Sequence, residues 1–221
     1  MPTIVVASPK GGAGKSTTAI LLGTELAHAG ASVAMLDCDP NRSLTIWSER
    51  GPLPPRIEVI SGIAESEIVR TIRQHEGDGR IVVVDLEGVA SRLVSRAISQ
   101  ADLVITPMRA TTLDATVGVR ALELIAEEEE ALNRKIPHAV VFTMTKAIRS
   151  KQHTGIEESL TAQGVDLIQP ALMERSAFSA LFEFGGDLRS MPPQGNMEAA
   201  RENAQGFAQA VYRRLIEGAA A

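Results

Sequence analysis

Three observations predict an α/β fold with a single doubly wound, mainly parallel sheet that carries helices on both faces. Apolar runs rich in Val and Ile alternate with segments of helical periodicity along the 221 residues. The runs are apolar throughout rather than alternating, which is typical of strands buried on both faces. The hydrophobic content of 44% and the charged content of 22% are ordinary for a globular protein, and the length suits one domain, residues 1–221.

Four strands and two helices are predicted in the N-terminal part of the chain. The strand segments are apolar and rich in β-branched residues: Thr3–Ala7, Ser32–Asp37, Ile57–Ile60 and Arg80–Asp85. Helical periodicity predicts helices at Ser16–Ala29 and Ala64–His75. Gly30 and the Gly77–Gly79 segment follow these helices, where C-terminal caps are expected. The Gly51–Pro55 segment is predicted to be a rigid surface connection, because the sheet continues beyond it.

The same alternation continues in the C-terminal part. Three further strands are predicted, at Leu103–Thr106, Ala139–Thr143 and Val165–Gln169. Four helices are predicted around them, at Ala90–Gln100, Leu113–Asn133, Gly155–Gln163 and Met197–Ile216. In the last helix, apolar residues recur at helical spacing: Ala200, Ala204, Phe207, Ala208, Val211 and Leu215. This pattern predicts one face that packs on the sheet.

Composition and charge exclude several classes of protein. Cys38 is the only cysteine, which excludes an internal disulfide and any CxxC redox or zinc arrangement. The net charge of −5 argues against a generally basic nucleic-acid binder, so any DNA contact must come from a local patch. No stretch is apolar for the length of a membrane span, and we therefore expect a cytoplasmic protein without a membrane partner.

A glycine-rich loop between the first strand and the first helix predicts a nucleotide phosphate site. Its residues are Lys10, Gly11, Gly12, Ala13, Gly14, Lys15, Ser16 and Thr17. The small residues let backbone N–H groups turn toward phosphate oxygens, and the helix N-terminus adds its positive dipole end. Lys15 would reach the β- and γ-phosphates, and the Ser16 hydroxyl would ligate Mg²⁺. The usual P-loop pattern has glycine where this chain has Pro9, and a second lysine, Lys10, precedes the Gly-Gly pair.

Two predicted strands end in acidic residues, at the sheet edge where doubly wound folds bind their ligands. Asp37-Cys38-Asp39-Pro40 ends the second strand. Asp85 follows four apolar residues of the fourth strand, which is the Walker B pattern, and we expect it to hold Mg²⁺ through a water molecule. Glu87 adds another acid close behind Asp85, without an assigned role.

The Lys10 loop, Asp37–Pro40 and Asp85 together resemble the deviant Walker A ATPases of the ParA/MinD type, and most of all the small, ParF-like plasmid-partition ParA proteins. The likeness extends to Ser43–Ser48 and to Leu113-Asp114.

The resemblance implies an ATPase that uses ATP and Mg²⁺, with Lys10, Lys15 and Asp39 as its catalytic residues. Lys10 is implied to reach the partner subunit's nucleotide, as an arginine finger does in trans, and Asp39 to orient the attacking water. Thr143 and Met144 fall where members of the family contact the adenine.

The resemblance also implies a functional cycle. ATP would close a homodimer, the dimer would bind DNA non-specifically, and a ParB-type adaptor protein would stimulate hydrolysis, so that the protein is nucleoid-associated. The candidate DNA contacts are cations of the C-terminal part: Lys146, Arg149, Lys151, Arg175, Arg189, Arg201, Arg213 and Arg214.

Other functions remain open at this level. The same ATPase cycle serves to position other cargo, such as a protein cluster, a conjugation complex or a microcompartment. A MinD-like membrane switch is disfavoured, because the last predicted helix presents mainly alanines rather than large apolar residues. A cluster-binding electron carrier would need more cysteines than Cys38, and a bacterial tyrosine kinase more tyrosines than Tyr212.

Overall fold

The computed structural model describes residues 1–88 and 91–219, and its centre is a six-stranded parallel sheet. The strands are β1 (Thr3–Val6), β2 (Val33–Cys38), β3 (Ile57–Ile60), β4 (Ile81–Leu86), β5 (Leu103–Arg109) and β6 (His138–Thr143). Their order across the sheet is β3-β2-β4-β1-β5-β6. Because β1 lies between β4 and β5, the loop that follows it emerges at the centre of the carboxyl edge. The predicted doubly wound α/β fold is confirmed.

Eight helices are described around this sheet. They are α1 (Lys15–His28), α2 (Ser43–Arg50), α3 (Ile68–Gly77), α4 (Arg92–Ile98), α5 (Thr112–Leu132), α6 (Lys151–Ala162), α7 (Ser176–Phe184) and α8 (Met197–Ala219). Helices α2 and α7 were not predicted from the sequence. Ala90, where the third predicted helix begins, lies outside the described residues, and α4 starts after Ser91, whose hydroxyl accepts a hydrogen bond from the Val94 N–H.

The two faces of the sheet carry separate cores. Ile4 and Val6 belong to the core beneath α1, α2, α7 and α8, whereas Val5 belongs to the core beneath α3, α4 and α5. Successive residues of a strand point to opposite faces, so a strand covered on both sides is apolar at every position. This explains the uninterrupted apolar runs of the sequence. Within the described residues, no helix is long and apolar enough to cross a membrane.

The predicted strand at Val165–Gln169 is wrong. The segment runs along the β6 edge but forms only a single bridge, between Leu167 and Val140. Two backbone hydrogen bonds hold it there, from Val140 N–H to the Asp166 carbonyl and from Ile168 N–H to the Val140 carbonyl, both 2.8 Å. Pro170 follows and has no N–H with which to continue the ladder, so the apolar run ends as an edge contact.

Helix α2 is short and is held in place by tertiary contacts. Trp47 is fully buried, and its indole N–H donates to the Gly186 carbonyl at 2.8 Å. The end of α2 meets the end of α7 closely: a Cβ placed on Gly51 would lie 2.6 Å from the Phe184 carbonyl oxygen. Gly185 has a φ of 68°, and a Cβ placed on it would come still closer to the Gly51 backbone nitrogen. Only glycine fits at these two positions.

Candidate functional site

The glycine-rich loop is shaped by two residues in the left-handed region. Gly12 has a φ of 73° and Gly14 a φ of 88°, and Gly14 is the N-cap of α1. Thr18 N–H donates to the Gly14 carbonyl at 2.8 Å, so the helix begins immediately after the loop. Positive φ is inexpensive for glycine and unfavourable for residues with a Cβ. The loop therefore leads from β1 into the N-terminus of α1, which is the arrangement that binds phosphate.

Lys15 is buried at the mouth of this loop, with 7% of the residue exposed. Its ammonium lies 3.5 Å from the Lys10 carbonyl oxygen and close to Gly88, where an added Cβ would be 3.4 Å from Nζ. Among the described residues, this carbonyl is the hydrogen-bond partner of the Lys15 ammonium, and its distance is at the limit for a hydrogen bond. A buried ammonium so weakly paired fits an anionic ligand.

Asp85 is fully buried, and neither of its carboxyl oxygens has a hydrogen-bond partner among the described residues. Burial raises its pKa to about 7, and the charges of Asp37 and Asp39 add to this rise, although the Ser16 hydroxyl and the Lys15 ammonium oppose it. Asp37 lies opposite Asp85 in the register of β2 and β4. An unpaired buried carboxylate beside a hydroxyl fits Mg²⁺, which binds through one or two protein oxygens and keeps several waters.

We expect Asp85→Asn to stabilise the protein without nucleotide or Mg²⁺. The raised pKa means that ionisation of this carboxyl opposes folding increasingly from about pH 4 and fully above about pH 7, so at pH 8 the amide should increase the free energy of unfolding by about 2–4 kcal/mol. Urea denaturation measures this, and added Mg²⁺ with nucleotide should then stabilise the wild type more than the variant. Asp102→Asn is the matched control, because Asp102 accepts a hydrogen bond from Thr3 N–H at 2.7 Å. A less stable Asp85→Asn protein would contradict the metal assignment.

Asp37 and Asp39 are placed differently. Asp37 Oδ2 accepts hydrogen bonds from the Thr45 N–H at 2.8 Å and from the Thr45 hydroxyl at 2.6 Å, which ties the end of β2 to α2. Asp39 is half-buried, and its Oδ1 accepts from the Asn41 N–H at 2.8 Å. The turn thus orients Asp39 at the mouth of the site, while Asp37 has a structural contact. Burial raises the pKa of the intervening Cys38 to about 12, and the charges of Asp37 and Asp85 add to this rise, so its thiol stays neutral.

Lys10 lies against its own subunit. Its ammonium is 2.6 Å from Oδ1 of Asp114, at the start of α5. Thr111, the N-cap of α5, donates its hydroxyl to Asp114 Oδ2 at 2.5 Å and accepts from the Asp114 N–H at 3.1 Å. Sequence reasoning missed this pairing, and it also missed Arg109, whose guanidinium donates to the Gly12 carbonyl at 2.8 Å. The local signal was the Thr111-x-x-Asp114 capping pattern, which predicts a helix start but not its ionic partner.

Thr143 and Met144 both lie beside the glycine loop. The Thr143 hydroxyl donates to the Ala13 carbonyl at 2.8 Å, so this side chain supports the loop from behind. Met144 is 40% exposed. Both line a cavity of about 100 Å³, together with Gly14 and Thr17 of the loop. Other residues also line it that were not predicted to belong to a nucleotide site. Those further lining residues include Leu172, Met173, Arg175 and Phe178.

Glu87 lines a separate cavity of about 340 Å³ together with Pro9 and Gly88. The cavity is mainly apolar and extends between β5 and α5, where Thr106 and Leu124 line it. Among the described residues the Glu87 side chain makes no hydrogen bond or ion pair, and its role stays unassigned.

Several of the predicted DNA-binding cations are engaged in ion pairs. Arg189 makes two hydrogen bonds to the buried Glu25 carboxylate, at 2.7 and 2.9 Å. Arg214 likewise makes two to Asp166, at 2.6 and 2.7 Å. Arg149 pairs with Glu157 at 2.5 Å. These charges are largely neutralised, and the set of candidates is revised to Lys146, Lys151, Arg175, Arg201 and Arg213.

Comparison with known proteins places this site in a family. The profile described as VirC1 protein matches residues 1–206. The chain is 64% identical to Protein ParA of Rhizobium radiobacter over 219 residues, which cover 98% of this chain and 99% of that one. It is 30% identical to Protein virC1 of the same organism over 84% of this chain and 82% of the relative.

A solved structure supports the fold assignment. A plasmid partition protein from Borrelia burgdorferi bound to AMPPNP superposes with a TM-score of 0.71, over 96% of this chain and 99% of that one, at 18% identity. The resemblance inferred from the Lys10 motif is confirmed at the level of sequence as well as fold. The chain belongs to the VirC1 family and is an ATPase of the ParA type.

Proposed function

We propose that this chain is a single-domain ATPase, residues 1–221, whose ATP-bound homodimer binds and positions DNA. The observation that carries the proposal is Asp85, fully buried with both oxygens unpaired beside Ser16 and the Lys15 ammonium. Such a group fits Mg²⁺ bound to the phosphates of a nucleotide in the adjacent loop. The family relationship to ParA and virC1 supports a positioning ATPase.

The proposed binding residues surround the phosphates from three sides. Backbone N–H groups of Gly11 to Thr17 would cradle the phosphate oxygens, and Lys15 would neutralise the β- and γ-phosphates. Ser16 and Asp85 would hold Mg²⁺, which supplies charge neutralisation at the phosphates when bound. The 100 Å³ cavity beside Thr143 and Met144 would take the edge of the base.

Asp39 and Lys10 are proposed to act on the γ-phosphate. Asp39 is half-buried and oriented by Asn41, so it would position the attacking water rather than abstract its proton completely. Lys10 would contribute positive charge to the nucleotide of the second subunit. ATP then favours the dimer because γ-phosphate contacts in trans exist only in the closed state. A ParB-type adaptor protein would stimulate hydrolysis and return the dimer to monomers.

DNA binding is expected to require ATP and to fall steeply with salt. The monomer has a net charge of −5, and several of its C-terminal arginines are already paired. Dimerisation would double the number of remaining cations on one face. Because neutralisation of DNA phosphates releases counterions, the affinity for DNA should fall at least about tenfold between 50 and 200 mM salt. A surface-binding assay with ATPγS, ADP and no nucleotide, over a salt series, measures this.

Matched variants identify the DNA-binding cations. Lys146→Ala and Arg213→Ala, at exposed positions, should weaken ATP-dependent binding, whereas Arg214→Ala should change it less because Asp166 already neutralises that charge. DNA binding in this way would make the protein nucleoid-associated. If the protein dimerises with ATPγS but binds no DNA at low salt, the DNA proposal fails, and positioning of another cargo by the same cycle is favoured.

A further inference from the structure

Lys10 forms a charged contact that the proposed cycle would have to break. Its ammonium lies 2.6 Å from Asp114 Oδ1 in the same chain, and the side chains of Lys10 and Asp114 are 32% and 2% exposed. Burial alone would raise the pKa of Asp114, but hydrogen bonds from Lys10 and Thr111 outweigh it and lower the pKa. Asp114 is therefore a buried, ionised group that depends on a cation.

If Lys10 moves to the partner subunit's nucleotide, Asp114 loses that cation. A buried carboxylate left without a cation is unfavourable even though the Thr111 hydroxyl still donates to its Oδ2, so the movement is costly unless another cation replaces Lys10. Arg109 is placed to do so. It ends β5, and its charge already acts on Asp114 and contributes to the lowered pKa.

Arg109 is also attached to the same loop as Lys10. Its guanidinium donates to the Gly12 carbonyl at 2.8 Å, and the arginine is otherwise exposed. A single hydrogen bond from an exposed side chain to a carbonyl is weak and readily exchanged. When a nucleotide draws the loop N–H groups and Lys10 toward phosphate, Arg109 can leave Gly12 for the vacated carboxylate.

We propose that Asp114 is a shared counter-ion that holds Lys10 in the resting subunit and binds Arg109 once Lys10 has moved to the partner's nucleotide. This inference rests on the proposed function. Asp114 then restrains ATP-dependent dimerisation, because its contact with Lys10 must be broken in each subunit. Arg109 assists dimerisation, and it does so only while the Asp114 carboxylate is present. Both are positioning residues.

A double-mutant cycle tests this relation. The dimer dissociation constant is measured by sedimentation with ATPγS and Mg²⁺ for wild type, Asp114→Asn, Arg109→Ala and the double variant. Asp114→Asn should lower the dissociation constant about tenfold, and Arg109→Ala should raise it by a similar factor. The double variant should match Asp114→Asn within about twofold, because no carboxylate remains to be paired. Asp166→Asn, which breaks the Arg214 pair with the same charge change, should behave as wild type.

Further variants separate this role from simple support of the loop. Arg109→Lys keeps the charge and should stay close to wild type, and Arg109→Ala should bind a fluorescent ADP analogue as monomer within about twofold of wild type. Asp114→Ser removes the charge but keeps a capping oxygen, so it must reproduce the result of Asp114→Asn.

Three outcomes would overturn the proposal: additive effects of the two substitutions, weaker dimerisation of Asp114→Asn and Asp114→Ser, or loss of ADP binding by Arg109→Ala. A wild-type protein that does not dimerise at all would overturn the proposed function as well. If the wild type dimerises normally and the cycle is additive, the shared counter-ion alone fails.

Discussion

Lys15→Ala should abolish ATP binding. Lys15 is the cation that the first turn of α1 places at the glycine loop, and burial leaves its ammonium little competition from water. Removing one partner of such a desolvated charge pair costs about 2–5 kcal/mol, so the affinity for a fluorescent ATP analogue should fall by about a hundredfold or more. Equilibrium titration followed by fluorescence anisotropy measures this.

The control for this experiment is Lys135→Ala. Lys135 is 92% exposed and pairs with Glu129 near the end of α5. The substitution therefore removes the same charge at a position away from the site. Circular dichroism should show that both variants are folded. Unchanged affinity of Lys15→Ala would contradict the assignment of the loop as a phosphate site.

Lys10→Ala should retain nucleotide binding but lose ATP-dependent dimerisation and hydrolysis. In the resting subunit the Lys10 ammonium is bound to Asp114 rather than directed to the loop, so monomer affinity for ADP should change by less than about tenfold. A cation supplied in trans stabilises the charge of the transferring phosphoryl group, and its loss should slow hydrolysis on the order of a thousandfold. Sedimentation with ATPγS and a phosphate-release assay measure the two effects.

Lys10→Arg provides the matched comparison, since it keeps a cation of similar reach and should recover part of the activity. A normal dimer with normal turnover in Lys10→Ala would show that the lysine serves only its own subunit. The shared counter-ion would then have no function in the cycle.

The parts of the site that could be predicted are those that depend on residues adjacent in the sequence or on the geometry of parallel strands. Gly12 and Gly14 predict the loop from the sequence alone. Asp85 follows an apolar run that is typical of a strand buried in a parallel sheet. Because parallel strands end at one edge, the acids at the carboxyl ends of β2 and β4 had to lie near the loop after β1. The fold and the proximity of these groups therefore followed from local patterns.

The remaining parts depend on contacts that no local pattern encodes. The bond between Lys10 and Asp114 exists because the N-terminus of α5 packs beside the loop, and the same is true of Arg109 and Gly12. The ion pairs of the C-terminal arginines were also not predictable, because their partners are distant in the sequence. Arg189, for example, pairs with Glu25 in α1. Helix α2 was missed because eight residues are too few for a clear helical period.

The burial of Trp47 gives the protein an intrinsic optical reporter. It is the only tryptophan in the chain, it lies in the helix that Asp37 anchors through Thr45, and its indole N–H is bound to the Gly186 carbonyl. Indole emission depends on solvent exposure and on that hydrogen bond. Fluorescence of the unlabelled protein, excited selectively at the tryptophan, would therefore report any change in the packing of this helix, and stopped-flow traces would time such a change against each step of nucleotide turnover.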